Sequence, residues 1–408
     1  MSPRDAAYEP VSVKEVLAEM KDTAELLIDL SYSAVLNGSD EIAREVLDLE
    51  DRVDLLQLQG RMSLLMAARS PEDAERLAPV LGVMGAAEKI SNAAGDIAKV
   101  VLDDIGTPDA LRTALPEAVE VLVRASVAPD SAYAGRTLRD VNMETEAGVR
   151  VIAIRRESAT GKRRWLLSPG SDDELQAEDS LLLRGPQDGI RTVYEAATGD
   201  PYEPPAPVDP PVEDLERAVD SIILMKDMSE LAVDLAYGSV LFDSEGVAEE
   251  VRELEAEVDA LKSRFEAWTL RAAGRVEDPV RLRGLVHLAS ATEVISDAAL
   301  EISEGVLRGI DAHPVVAAAI EESDEVIVRL SVAPDAALAG TTLGGEAVKT
   351  QTGMRVIAVR RGDTDAEWVV QPGPETELRA GDVVIAKGTR AGAERLGDLV
   401  GDEQRFES

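Results

Sequence analysis

Acidic residues four apart are the first candidates for chemistry. Glu25/Asp29, Glu50/Asp54, Glu230/Asp234, Glu255/Asp259 and Glu293/Asp297 recur within helix-like stretches. That spacing sets two carboxylates on one helix face, about 5–6 Å apart at Cβ. Like charges so placed repel, and a hard divalent cation taking oxygen ligands would offset the repulsion. Together with Glu88, the pairs give candidate metal ligands Glu50, Asp54, Glu88, Glu255, Asp259, Glu293 and Asp297. The plain alternative is that pairs arise by chance in an acidic chain and sit on solvated faces, and each pair is expected to lie away from its helix's apolar side.

Other chemistry is sparse. His287 and His313 are the two histidines, and neither has a catalytic partner in sequence. No Ser/His/Asp or lysine-based nucleophile arrangement stands out, and without cysteine there is neither thiolate chemistry nor sulfur ligation. The chain is expected not to be an enzyme. Lys162-Arg163-Arg164 is the one dense basic cluster, on an expected hairpin opposite Arg155-Arg156. It reads either as a contact for a phosphate-bearing ligand or acidic surface, or as an exposed hairpin paired to local carboxylates.

The elements that must position these groups occur twice, 205 residues apart. Met20-Lys21-Asp22 returns as Met225-Lys226-Asp227, Ser126 to Asp130 as Ser331 to Asp335, and Arg150 to Ala153 as Arg355 to Ala358. A period this long is a duplicated module rather than a solenoid. Two similar halves favour a symmetric sensor or adaptor over a single-site enzyme. Apolar residues at helical spacing predict three helices over 11–110 and again over 212–312. Alternating Val119, Val121, Val123 and Val149, Val151, Ala153, with glycine and proline turns, predict strand-rich units over 117–198 and 323–402. Between the halves, residues 199–211 hold six prolines within Pro201–Pro211 and read as an extended, semi-stiff linker.

Charge is strongly unbalanced, with 79 acidic against 42 basic residues and a net −37. Only nine of the basic residues are lysine. Acid spread over every segment suggests a halophilic chain adapted to molar salt, where the Debye length is about 3 Å. It excludes nucleic acid as a ligand, which needs a basic stripe. No run approaches the roughly 20 apolar residues that span a bilayer, so no direct membrane insertion is expected. No signal-like h-region follows Met1, and the chain reads as cytoplasmic.

The strand-rich unit resembles the TrkA-C domain, the C-terminal regulatory domain of potassium conductance proteins. The matching residues are Val127 to Ser131, Gly135-Arg136-Thr137-Leu138, Gly148 to Arg156 and Leu175 to Asp179. In the second copy Leu378 to Asp382 keeps the family's L-x-x-G-D glycine as Gly381, where the first copy has Glu178. The helical unit resembles one three-helix half of PhoU, the phosphate-signalling regulator, through Leu49 to Asp54 and Glu88 to Ala98, with Leu254 to Asp259 and Glu293 to Ile302 in the second copy. Asn92 replaces that family's aspartate in the first copy.

These resemblances imply an α+β multidomain fold, two PhoU-like three-helix bundles alternating with two α/β TrkA-C domains. They imply a regulator of cation transport, potassium above all, partnered by a membrane channel or transporter and self-associating through its TrkA-C domains. The alternative they leave open is a PhoU-type metal-binding adaptor in phosphate uptake signalling. PhoU-type bundles hold metal at such acidic motifs. Related TrkA-C domains bind cyclic di-AMP between two copies. Carried over, its contacts are Val149, Arg150, Ile152 and Pro169, with Met354, Arg355, Ile357 and Pro372 in the second copy. The family's phosphate-contacting arginine has no match: Glu144 stands near that place in one copy and Lys349 in the other. No G-x-G-x-x-G follows a strand, so nothing supports a dinucleotide such as NAD. The two TrkA-C units are expected to pair through the strands of Val151/Ile152 and Val356/Ile357.

Overall fold

The computed structural model describes residues 12–67, 70–106, 111, 121–157, 163–167, 169–204, 212–310, 314–323, 325–361 and 368–402. Val119, Lys162, His313 and most of the proline linker lie outside them. The chain divides into two compact units, one of Met1–Gly106, Met228–Arg264 and Val286–Asp324, the other of Thr107–Asp227, Phe265–Leu285 and Glu325–Ser408.

The helices of the first half are α1 (Val13–Asn37), α2 (Asp40–Ala67) and α3 (Pro71–Leu102). Ser12 caps α1 by accepting the Glu15 amide, and Gly38 ends it in the left-handed conformation. Those of the second half are α7 (Glu213–Leu241), α8 (Glu245–Ala273) and α9 (Arg283–Leu307), followed by the short α10 (Pro314–Glu322). Proline at the first turn of α10 costs no hydrogen bond, because that N–H would lack an intrahelical partner anyway.

Within the first unit the two halves pack together. The Tyr32 hydroxyl of α1 bonds Thr292 Oγ1 of α9 at 2.6 Å, and Lys89 of α3 pairs with Glu301 of α9. Ala93, Ala94, Ala298 and Ala299 are buried and let helices approach closely. The central helix α1 is apolar nearly all round, so its acidic pair is not on a solvated face. Asp29 is buried, as are Glu230 and Asp234 of the equivalent pair, which corrects the expected placement away from the apolar side. Lys21, itself buried, answers this charge: its Nζ lies 2.9 Å from Glu25 and 5.4 Å from the centre of the Tyr237 ring.

The second unit holds two four-stranded antiparallel sheets of one topology. The first comprises β1 (Val121–Ser126), β3 (Arg150–Glu157), β4 (Arg163–Leu167) and β6 (Ser180–Gly185), in the order β1-β6-β3-β4. Beside it β2 (Arg136–Thr137) pairs with β5 (Glu174–Leu175). Short helices α4 (Leu138–Val141) and α5 (Met143–Ala147) precede β3, and α6 (Gln187–Thr198) closes the unit. The second sheet runs β7 (Val326–Ser331), β10 (Val383–Gly388), β8 (Met354–Arg360) and β9 (Trp368–Val370), with α11 (Val348–Thr352) before β8 and α12 (Arg390–Val400) at the end. One face of each sheet packs a Val/Leu/Ile core against its closing helix, with Val149, Val151, Ile154 and Ile190 in one copy and Met354, Val359, Val384 and Leu396 in the other.

The family's turn aspartate has a structural role in both copies. Asp179 takes a bidentate pair from Arg156 at 2.8 and 2.7 Å and accepts the Gln176 amide at 2.8 Å. Asp382 accepts one bond from Arg361 Nη1 at 2.6 Å and the Arg379 amide at 2.9 Å. Each buried carboxylate is thus paired and hydrogen-bonded.

Candidate functional site

The two strand-rich domains meet through α5 and α11, the short helices before β3 and β8. Arg395 reaches from α12 to Glu146 at 2.6 Å and to the Thr145 carbonyl at 3.2 Å, and the Thr145 and Thr389 hydroxyls lie 3.2 Å apart. The bond from Arg395 holds the exposed Glu146 carboxyl below its usual range. The described pairing therefore runs through the helices that lead into the expected strands, while Val151 packs in its own domain's core. Glycine makes the approach possible. Gly148 and Gly353 end α5 and α11 at φ +64° and +73°. A Cβ on Gly353 would stand 2.4 Å from the Glu144 carbonyl, and one on Gly148 3.1 Å from that of Lys349. No side chain fits there without displacing the partner's backbone.

A pocket opens at this junction, lined by Glu144, Gly148, Arg150, Arg184, Glu325, Lys349, Gly353, Arg355 and Lys387. Its atom-free space is about 430 Å³, open mouth included. The lining comes in duplicated pairs: Gly148 with Gly353, Arg150 with Arg355, Arg184 with Lys387, and Glu144 with Lys349. Five basic side chains face two carboxylates. Glu325 lies 2.8 Å from Arg150 and 3.4 Å from Lys387. Lys349 is only half-buried as a residue, but its ammonium is enclosed. That enclosure, and the nearby Arg355 charge, push its pKa well below the ordinary lysine value. The arrangement can receive an anion with more than one charged oxygen, since guanidinium forks and ammonium groups converge on one space.

Of the ligand residues expected from sequence, the pocket gathers Arg150 and Arg355. Val149, Ile152, Met354 and Ile357 are buried, and Pro169 and Pro372 are half-buried; none of the six lines it. Residue-by-residue reading missed Arg184, Lys387 and Glu325. The basic pair carried a signal: Arg184 and Lys387 precede the equivalent glycines Gly185 and Gly388, and both are basic in a chain poor in basic residues. The Lys162-Arg163-Arg164 cluster falls largely outside the described side chains, though the register does set Arg164 opposite Arg156.

The acidic motifs resolve differently in the two helical halves. In the second half, carboxylate oxygens of Glu255, Asp259 and Asp297 lie within 4.8 Å of one another, a cluster able to coordinate a metal. Burial raises the pKa of Glu255 and Asp297, and neighbouring carboxylates raise both further. Glu293 is drawn aside by Lys262. In the first half Glu88 accepts a bond from Gln57 at 2.6 Å. Glu50 lies over Gly95, where a Cβ would stand 2.1 Å from its Oε2. The equivalent of Gly95 is Leu300, which denies Glu255 that position. Burial and nearby acid still raise Glu50 and Asp54, Lys99 partly countering the rise at Glu50. His287 is exposed on α9 and belongs to neither site.

These domains are of regulatory, non-catalytic kinds. The PhoU domain matches residues 17–101 and 222–306, and the TrkA-C domain matches 122–198 and 327–401. The chain is thus a PhoU domain alternating with a TrkA-C domain, the pair duplicated in tandem. It has the general regulatory character of such domains in cation-transport signalling. A comparison with curated proteins found no match. Among solved structures, PhoU from Pseudomonas aeruginosa is similar at 12% identity and a TM-score of 0.40, over 73% of this chain and 96% of that one. The GsuK RCK domain is similar at 14% identity and 0.18, over 69% of this chain and 63% of its own length. The GsuK channel bound to NAD is similar at 15% and 0.18, over 69% and 53%. Likenesses this distant carry no argument about function. Among the described residues, no helix is long and apolar enough to cross a membrane.

Proposed function

We propose that this chain regulates potassium transport by sensing a phosphate-bearing anion in the pocket between its TrkA-C domains, and acts on a membrane channel or transporter. The observation that carries the reading is charge: a net excess of cations converges on one pocket in a chain of net charge −37. Five basic groups against two carboxylates leave an excess of positive charge that an anion would answer. The duplicated arginines would face the two phosphates of a two-fold symmetric ligand, and cyclic di-AMP is the candidate. Titration calorimetry in molar potassium chloride tests this. Cyclic di-AMP should bind, and Arg150→Ala or Arg355→Ala should each weaken it by about 10-fold or more. Absence of binding, or binding indifferent to both arginines, would remove the reading.

The adaptor reading rests on a separate observation, the convergence of Glu255, Asp259 and Asp297. On it, the second helical half holds a divalent metal, and the chain serves phosphate uptake signalling. Metal analysis of the purified chain, alongside mass spectrometry of co-purified small molecules, separates the two: stoichiometric metal without nucleotide favours the adaptor.

A further inference from the structure

The two copies of the pocket differ in kind at one place. Glu144 of α5 and Lys349 of α11 are equivalent, each four residues before the glycine that ends its helix. The pocket thus holds two amines, Lys349 and Lys387, and their surroundings are unlike. Lys387 Nζ lies 3.4 Å from Glu325 Oε2, and that carboxylate answers its charge. Lys349 has the like charge of Arg355 for a neighbour, and its side chain crosses to the other domain copy, with Cγ 3.3 Å from where a Cβ on Gly148 would stand. Burial first, and the Arg355 charge second, favour its neutral form and hold its pKa well below the ordinary lysine value. A neutral amine enclosed beside another cation is an activated nucleophile. Arg150, Arg184 and Arg355 line the same space, and guanidinium forks suit a phosphate. A small acyl phosphate joins the two things this pocket can address, a phosphate to be held and an electrophilic carbon beside it.

We infer that Lys349 is a modification site, acylated by a small acyl phosphate whose phosphate is seated by the pocket's arginines. This rests on the pocket's taking a phosphate-bearing anion, as argued above. In the step, the Lys349 nitrogen bonds the acyl carbon, and the bond from that carbon to the phosphate oxygen breaks. The phosphate leaves with the proton lost from nitrogen. The products are an uncharged amide on Lys349 and inorganic phosphate. The modified pocket keeps four basic groups against its two carboxylates, so its hold on an anion weakens. Glu144 cannot undergo the step, so the duplicated pocket carries the modification in its second copy alone.

The test treats the full chain, in molar potassium chloride, with acetyl phosphate and reads each lysine by peptide mass spectrometry. Acetyl should appear at Lys349 at least about 10-fold faster than at Lys387, because the seated phosphate raises the effective concentration of the reagent. Inorganic pyrophosphate should slow the reaction at Lys349 and spare the exposed lysines. The N-hydroxysuccinimide ester of acetic acid, which has no phosphate, should show less preference for Lys349. Calorimetry reads the consequence. The acetylated chain should bind pyrophosphate about 10-fold more weakly than the untreated one. Lys349→Arg keeps the charge without the amine, and its affinity should survive the same treatment. Acetylation at Lys349 no faster than at Lys387, in a chain that binds pyrophosphate, overturns the modification and leaves the pocket reading standing. Fast acetylation that pyrophosphate does not slow, or that the ester reproduces in full, overturns the seating of the phosphate and the inference with it. If neither pyrophosphate nor cyclic di-AMP binds and Lys349 is not preferred, the pocket reading and this inference fall together.

Discussion

The acidic motifs of the two helical halves differ at several positions, and two of those differences bear directly on whether three carboxylates converge. Asn92 stands where the second half has Asp297, and Gly95 where it has Leu300. Asparagine removes one anionic ligand. Glycine opens a niche on α3 into which Glu50 settles, away from the position Glu255 takes against Asp259 and Asp297. The pocket between the TrkA-C domains shows the same principle, with Glu144 in one copy and Lys349 at the equivalent position of the other. Duplication supplied two equivalent frames, and a few side chains gave each half a different charge to hold.

Salt tests the comparison at its coarsest, and the largest effect is expected there. Screening acts on both halves alike, and the Debye length falls from about 30 Å at 0.01 M to about 3 Å at 1 M. The melting midpoint should rise on the order of 10 °C from low to molar potassium chloride. A flat midpoint would show that the acidic surface exerts little strain, and would remove the halophilic reading.

Metal should separate the halves. A divalent ion such as Mn²⁺, at about 100 times its dissociation constant, should stabilise the chain by about 2.7 kcal/mol. Asp297→Asn should abolish that gain. Asn92→Asp combined with Gly95→Leu should build a second site and double the bound metal. Without metal the sign of the pH effect follows from the raised pKa values of Glu255 and Asp297. The folded chain holds those protons more tightly than the unfolded one. Their contribution to stability is therefore present at acid pH and lost as pH rises through the raised values. Metal competes with the same protons, so its stabilisation should fade as pH falls. Thermal melts across pH, with and without Mn²⁺, read both trends.

Much of this comparison was legible in the sequence. The constant offset and the shift from helical to alternating period gave the order of the parts, because both are local and repeat. Arg150 and Arg355 lie beside a recognisable strand. Glu325, Arg184 and Lys387 come from strand ends distant in sequence, and only the approach of the two domains brings them to one pocket. Glu25/Asp29 and Glu230/Asp234 resemble solvated pairs by spacing. In α1, however, apolar residues surround the helix, and periodicity cannot reveal which polar residues are buried with it. The strands of Val151 and Val356 looked like the pairing elements because their apolar alternation is strong. Val151 and Val356 pack on their own domains' cores, Ile152 and Ile357 are buried outside those cores, and glycine-capped helices make a contact between the domains.

Lys349 sharpens the pocket comparison with a smaller effect. Its pKa lies well below the ordinary lysine value, so the pocket loses a cation as pH rises through that lowered value. Affinity for a phosphate-bearing anion should fall over the same interval by a few-fold. The folded chain binds this proton less tightly than the unfolded one, so stability should rise with pH between the lowered and ordinary values. Lys349→Met should flatten both profiles. The other charged groups facing this space are Glu144, Arg150, Arg184, Glu325, Arg355 and Lys387, and a pH dependence that persists in Lys349→Met belongs to one of them.

The smallest effect concerns one backbone position. Glu178 and Gly381 occupy the same turn before Asp179 and Asp382, both at positive φ, 72° and 86°. For a residue with a Cβ the left-handed region costs roughly 1–2 kcal/mol, whereas glycine enters it freely but loses about 0.5–1 kcal/mol in unfolded-state entropy. The first copy accepts this strain because the turn is held from both sides. The Glu178 amide donates to the Val127 carbonyl at 2.8 Å, and Asp179 anchors the turn to Arg156. Glu178→Gly should therefore stabilise by about 0.5–1 kcal/mol, the difference between the two terms. Gly381→Glu should destabilise the second copy by a similar amount. Because neither side chain belongs to the pocket lining, anion affinity should not follow either change. Denaturant unfolding of the two variants decides it: a destabilised Glu178→Gly would mean that the Glu178 side chain contributes a contact worth more than the strain of its backbone.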